Sequence, residues 1–600
     1  MAEGVGELTR THYCGLVDGS LVGQTVTLMG WAATRRDLGG VVFIDLRDRE
    51  GLCQVVARPE VSQDAHEVAD RVRSEYVLAV VGEVALRSAE TVNPKLKTGT
   101  LEVLAREIRI LSEARTPPFP IEDEINTSEE IRLKYRYLDL RRPRLHRNLR
   151  LRHQVTLEIR RYLDEQGYYE IETPFLTKST PEGARDYLVP ARVHRGSFYA
   201  LPQSPQIFKQ LLMISGVDKY FQVARCFRDE DLRADRQPEF TQVDLEMSFP
   251  RVESVFDLVE PLYGRVFGLI DVELKRPFPR MSYAEAIQKY GSDKPDLRFG
   301  MPISDVTDEM KVLGLDTYPG LIEGGARCRA IVLPAAGGIS GTRLRKLNEE
   351  LWLGRIVPDA RAAKRGLFNL KATEENLQKL AEKGANAETT RRLIGKLGAQ
   401  KDDTILIGTD AVGPLATAMG VLRLEMGREL KLVDEDAWCF VWVTDFPLFE
   451  RDPASGQLSS VNHPFTAPRD EDLPLLDVAP ERVRAKAYDV VLNGLEAGGG
   501  SLRIHDSALQ AKIFKLLSLT EQETRERFGF FIEALQYGTP PHGGIALGLD
   551  RLVMLMAREA SLRDVIAFPK TASASDLMSA SPSSVSEAQL RELGVHVVKA

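Results

Sequence analysis

Apolar positions recur in two rhythms along the chain. Between about residues 11 and 111 they come in short runs broken by Gly and Asp: Thr25–Ala32, Val41–Arg47, Leu52–Ala57, Tyr76–Val84 and Thr100–Ala105. Runs of this length, rich in β-branched residues, predict five strands, and five such strands suit a small barrel of the OB-fold kind. From Leu151 to Gly167 the rhythm is helical, with Val155, Ile159, Tyr162 and Leu163 on one stripe and Gly167 as the stop. Strands are predicted over 168–173, ending at Pro174, over 219–227 and over 438–447.

One strand breaks the usual rule for a core. Phe240, Gln242, Asp244 and Glu246 alternate with Thr241, Val243, Leu245 and Met247, so the first four share one sheet face. An aromatic, an amide and two carboxylates in a row are costly to bury without partners, which marks this face as the floor of a ligand site. A strand with one solvated face is the ordinary alternative. The loop before it, Arg228 to Glu239, carries eight charged residues in twelve.

Near the C-terminal end, Asn493-Gly494 between apolar runs signals a two-residue hairpin. In that register Val491 faces Glu496, and Asp489 becomes the diagonal neighbour of Glu496 on the same face, close enough for one metal ion between them. Gly498 and Gly500 are read as clearing that face. Strict alternation sends Arg503 to the other face, so a bulge near the glycines is required. Residues 543–556 read as a glycine-bounded strand leading into an apolar helix.

Six hundred residues call for several domains, and 43% hydrophobic with 28% charged residues describes a globular protein. The five cysteines show no CxxC spacing, which excludes a zinc-ribbon or disulfide framework and fits a reducing compartment. Without a leader-like N-terminus or a long apolar run, the protein is expected in the cytoplasm, away from membranes. The net charge of −8 argues against a polyanion partner, but between Arg132 and Arg152 nine Lys or Arg accompany a single acidic residue. That stretch reads as a phosphate-tracking segment or as a solvated linker. In the barrel, Arg35, Arg36, Phe43 and Gln54 offer donors, a stacking ring and an amide, the set single-stranded bases require; Phe43 is equally suited to barrel core.

Arg228-Asp229-Glu230 followed by Arg236-Gln237-Pro238-Glu239-Phe240-Thr241-Gln242 resembles the second signature motif of class II aminoacyl-tRNA synthetases, and in detail that of the bacterial aspartyl-tRNA synthetase family. The helix, strand and Pro174 resemble the first motif and residues 543–556 the third. The resemblance implies an α+β multidomain fold: an OB-fold anticodon-binding barrel (1–112), a basic hinge (113–150), a class II catalytic domain of antiparallel sheet with flanking helices (151–297 and 431–570), an inserted α+β domain (298–430) and a C-terminal extension (571–600). It implies ATP, L-aspartate and tRNA(Asp) as substrates, tRNA(Asn) being left open, a homodimer, and Mg²⁺ on Asp489 and Glu496. Leu38 resembles the stricter relatives, which charge one tRNA.

The loops 179–186 and 203–209 resemble the family's amino-acid pocket. By this likeness Lys209 and Arg503 serve the substrate side-chain carboxylate, and Glu182, Ser204, Gln206 and Asp244 the ammonium end. Arg503 suits a carboxylate through its planar fork. Many relatives carry two histidines where this chain has Asn462-His463, so either residue is a candidate for aspartate. The nucleotide falls to Arg228, Asp229, Glu230, Gln237, Phe240, Glu496, Gly548, Leu549, Asp550 and Arg551, with Arg228 and Arg551 as the catalytic arginines. Arg36, Phe43, Gln54 and Glu102 match the anticodon-reading positions. Two rival readings stand beside it: an asparaginyl- or lysyl-tRNA synthetase, since these share the motifs, although Lys209 with Arg503 and the central insertion favour aspartate, and a nonenzymatic RNA-binding protein on the same scaffold.

Overall fold

The computed structural model describes residues 3–180, 184–230, 236–335, 339–356, 366–452 and 455–598. They form two compact units, Met1–Leu151 with Arg563–Ser583, and Arg152–Leu562 with Ser584–Ala600.

The first unit holds a closed five-stranded barrel: β1 (Thr25–Leu38), β2 (Val41–Asp48), β3 (Gly51–Ala57), β4 (Val77–Leu86) and β5 (Leu101–Ser112), ordered β1-β2-β3-β5-β4. Val26, Leu28, Val42, Ile44, Leu46, Cys53, Val55 and Val103 fill its interior. β1 runs six residues past the expected Ala32, because an irregularity between Ala32 and Thr34 bends it and lets the polar 34–38 stretch pair with β2.

The second unit is built on an eight-stranded sheet. Its members are β6 (Tyr169–Glu170), β7 (Lys219–Phe227), β8 (Glu239–Ser248), β9 (Arg280–Ser282), β10 (Phe440–Thr444), β11 (Ala487–Leu492), β12 (Leu495–Leu502) and β13 (His542–Gly548). Their order is β9-β10-β11-β12-β13-β8-β7-β6, antiparallel except for the two edge pairs β9/β10 and β6/β7. Helix α1 (Pro143–Glu165) begins eight residues before the expected Leu151, with Pro143 opening it; its first two turns are too charged to show an apolar stripe. Helix α2 (Gln206–Ile214) carries Lys209. Helix α3 (Val252–Gly268) backs the sheet through aromatics, Phe256 stacking on Trp442 with ring centres 4.1 Å apart. Only Tyr169 and Glu170 of the strand expected over 168–173 pair with a neighbour, since it lies at the sheet edge and Pro174 follows.

A second sheet lies within the inserted region, formed by Ser304–Asp305, Arg327–Leu333, Thr404–Asp410 and Phe368–Lys371 in that order. Helix α4 (Val412–Glu429) closes it, and the buried Arg423 donates to the carbonyls of Asp296, Phe299, Gly300 and Met301. Among the described residues no helix is long and apolar enough to cross a membrane.

The arginine-rich stretch before Arg152 is partly internal scaffolding. Its one carboxylate, fully buried Asp139, accepts from Arg136 at 2.7 Å and Arg142 at 2.8 Å. Arg136 also donates to the carbonyls of Ile566 and Ala567, and Arg142 to those of Glu122 and Asp123. These two cations are therefore consumed in tying the segment to residues 122–123 and 566–567 rather than left for a phosphate backbone. Asp139→Ala leaves both guanidiniums buried without a counter-charge and should destabilise the first unit by roughly 3–5 kcal/mol; an unchanged melting temperature would contradict this.

Candidate active site

The polar face of β8 is open because its neighbours carry almost no side chain. Gln242 lies opposite Gly548, Asp244 opposite Ala546 and Glu246 opposite Gly544 on β13. One strand further, Ala546 faces Gly499, and Gly499 faces Asp489 on β11. Asp244 and Asp489 thus bracket two small residues, roughly 14 Å apart at three strand spacings. The floor has an acidic group at each end.

At one end two carboxylates and two cations neutralise each other. Lys209 donates to Asp244 at 2.9 Å and lies 3.2 Å from Glu246, while Arg503 takes Glu246 in a two-point contact at 3.0 and 3.2 Å. Burial alone would raise Glu246, but Arg503 and then Lys209 hold it below the usual carboxylate range; Asp244 is pushed up by burial. Among the described residues Asp244 Oδ2 and Gln206 Nε2 are buried without a hydrogen-bond partner, an acceptor and a donor of the kind an amino acid would satisfy. Ser204, Asn462 and His463 line the same cavity. Arg503 Nη1, which can only donate, lies 2.6 Å from His463 Nε2, so the imidazole accepts and is neutral. Desolvation, then Arg503 and Lys209, push His463 well below its ordinary value. Glu182 lies outside the described residues.

At the other end Phe240, Gln237, Gly548, Asp550 and Arg551 line a cleft that shares Arg228, Glu230, Gln242, Glu496 and Ala546 with the first cavity. The Arg228 guanidinium rests 5.0 Å over the Phe240 ring. Arg551 donates to the Glu496 carbonyl at 2.7 Å, and Glu230 accepts from Arg236 at 2.8 Å. Two of the nucleotide candidates, Asp229 and Leu549, stand apart from the cavity, and Asp550 lines it with its carboxylate already engaged. Asp229 pairs with Arg185, Leu549 is buried in the core, and the Asp550 carboxylate is spent on Arg152 and the Thr241 amide.

Asp489 and Glu496 share a face. The register shift places Ala497 as an extra residue, Val491 pairing with Glu496 and Val490 with Gly498, and this turns Ser501 and Arg503 into the cavity. It also corrects the roles of the glycines. A Cβ at Gly499 would sit 2.6 Å from Asp489 Oδ1 and 3.3 Å from Glu496 Oε1, so Gly499 clears the acidic pair, whereas Gly498 and Gly500 abut β13. Desolvation, then Glu496, raise Asp489 well above the usual range. Two like-charged carboxylates facing one gap fit a hard divalent cation.

On the barrel, register aligns Arg36, Phe43, Val56 and Leu104 in one row, and Thr34, Asp45 and Gln54 in the next, with Glu102 one residue before Val103, the partner of Val55. Phe43 is half-buried on this outer face and absent from the interior core, Arg36 pairs with Asp45, and Arg35 turns toward Asp70. Leu38 is exposed.

The family of tRNA synthetases class II (D, K and N) matches residues 128–572, and the OB-fold nucleic acid binding domain residues 26–111. The chain belongs to the class II tRNA synthetases. Among curated relatives, the aspartate–tRNA(Asp/Asn) ligase of Anoxybacillus flavithermus is 53% identical, covering 98% of each chain. The aspartate–tRNA ligase of Geobacillus kaustophilus is 52% identical, covering 98% of this chain and 99% of its own. Among solved structures, asparaginyl-tRNA synthetase from Pyrococcus horikoshii superposes with a TM-score of 0.59 at 18% identity, over 94% of this chain and 98% of that one, a likeness of fold. This synthetase is an enzyme, and the scaffold-only reading is not favoured.

Sequence reasoning placed Glu246 on the polar face of the synthetase but gave it no role; its partner Arg503 is 257 positions away. Lys294, 3.5 Å from Glu496, was also missed, having no periodic neighbours to mark it.

Two outcomes follow from this geometry. Gly544→Ala should not fold, since the new Cβ would lie 1.9 Å from the Leu245 carbonyl, while Gly499→Ala should fold and lose divalent-ion affinity, because only carboxylate tips need move; melting curves with and without Mg²⁺ check both. An imidazole neutral in the fold but protonated near pH 6.5 when unfolded contributes stability above that pH and loses it as pH falls. His463→Gln should therefore soften the acid-side loss of stability below about pH 6.5, measured as melting temperature against pH.

Proposed function

We propose that this synthetase is an aspartate–tRNA ligase, joining L-aspartate to ATP as aspartyl-adenylate and then passing aspartate to the 3′ end of tRNA(Asp). The observation that carries this reading is the sharing of Arg228 between the Lys209–Arg503 pocket and the Phe240–Arg551 cleft. Relatives named as aspartate–tRNA ligases along nearly the whole chain support it.

The chemistry is positioning and charge neutralisation. Lys209 and Arg503 present fixed cations to the substrate's side-chain carboxylate, which favours aspartate over its amide. Gln206 and Asp244 lie at the ammonium end, beside the neutral His463. The substrate α-carboxylate oxygen attacks the α-phosphorus of ATP, the bond to pyrophosphate breaks, and Arg228 stabilises the charge on both partners. Phe240 and Arg551 enclose adenine. Asp489 and Glu496 would hold Mg²⁺, which would supply charge neutralisation for the phosphates. In the second step the terminal ribose hydroxyl of tRNA attacks the anhydride carbonyl and AMP leaves. The barrel face of Arg36, Phe43, Gln54 and Glu102 grips the anticodon.

Arg228→Ala should lower aspartate-dependent ATP–pyrophosphate exchange by roughly 10²–10³-fold with an unchanged melting curve; near-normal exchange would remove Arg228 from this role. Charging purified tRNA(Asp) and tRNA(Asn) in parallel tests the acceptor: aspartate must reach tRNA(Asp), and the second arm determines whether tRNA(Asn) is a further substrate.

A further inference from the structure

The acidic pair at the phosphate end already has a cation beside it. Lys294 Nζ lies 3.5 Å from Glu496 Oε2 and 3.2 Å from Asp293 Oδ2, and all three residues line the same cavity as Asp489. Among the described residues the Asp489 carboxylate makes no hydrogen bond or salt bridge, and Lys294 acts on it only through space. Without a positive charge nearby, two carboxylates converging on Gly499 would repel and splay.

Lysine suits a temporary occupant of such a site. Its ammonium is a compact charge with rotatable donors on a flexible four-carbon stem, with none of the rigid two-point geometry that fixes Arg503 to Glu246. The side chains of Lys294 and Glu496 are 36% and 37% exposed, so their pairing is weak and reversible, unlike the buried Lys209 and Arg503 contacts.

We propose that Lys294 is a tethered counter-cation that competes with the divalent ion for Glu496: it keeps the acidic pair assembled before the metal arrives and leaves when the metal binds. This rests on reading Asp489 and Glu496 as the metal ligands. Metal entry then frees an ammonium group within the cavity where the triphosphate lies, so metal loading and the supply of a cation to phosphate oxygens become one event.

The test measures Mn²⁺ binding to the full-length, nucleotide-free protein by electron paramagnetic resonance. Lys294→Met keeps the stem and removes the charge; it should bind Mn²⁺ about fivefold more tightly than the parent, and its melting temperature should respond more to Mn²⁺. Lys294→Arg, which keeps the charge, should stay near the parent affinity and guards against a folding artefact in the first variant. Unchanged or weaker Mn²⁺ binding by folded Lys294→Met would overturn the proposal. Asp489→Asn separates the two readings: if it binds Mn²⁺ as the parent does, the metal assignment fails, whereas loss in Asp489→Asn with no gain in Lys294→Met leaves the assignment standing and removes only the competition.

Discussion

Charge placed inside a sheet must be balanced within the sheet, and the second unit is organised around that requirement. Glu246 is the hinge of the balance. It sits on β8, inside the strand order and fully buried, between an arginine just past the end of β12 and a lysine from α2. Each of these cations would be costly to bury alone, and Glu246 makes both tolerable together. The cavity is what remains once this cluster has satisfied itself and left Asp244 Oδ2 and Gln206 Nε2 without partners among the described residues.

The second requirement is space, and it is met by subtraction. Gly544, Ala546 and Gly548 on β13 and Gly499 on β12 stand where a normal sheet would carry side chains. They let the polar row of β8 and the acidic pair of β11 and β12 look into one connected volume. The charge of the cavity comes from side chains, while its room comes from their absence.

Much of this was legible in the chain. Period-two alternation on β8 gave the floor, Asn493-Gly494 gave the hairpin and its Val491–Glu496 pairing, and the apolar runs gave the barrel. What escaped has a common cause, namely dependence on neighbours distant in sequence. The β1 extension needed its partner β2, the true role of Gly499 needed the position of the bulge, and the pairing of Arg136 and Arg142 with Asp139 showed only once backbone carbonyls around them were placed. Composition could suggest a phosphate-tracking stretch there but could not say which arginines were already occupied.

The extra residue at Ala497 makes strand length a chemical variable. From Glu496 to Arg503 the chain must both remain paired with β11 and reverse its sidedness once, so that the Glu496 carboxylate and the Arg503 guanidinium look into the same cavity. Removing the one extra residue would let strict alternation alone keep the guanidinium on the face of Glu496, while removing two would make the spacing odd again with no bulge to correct it and send the guanidinium to the opposite face. An odd number of steps and one bulge are matched to each other, and the spacing between these two residues is as much a part of the site as the residues themselves.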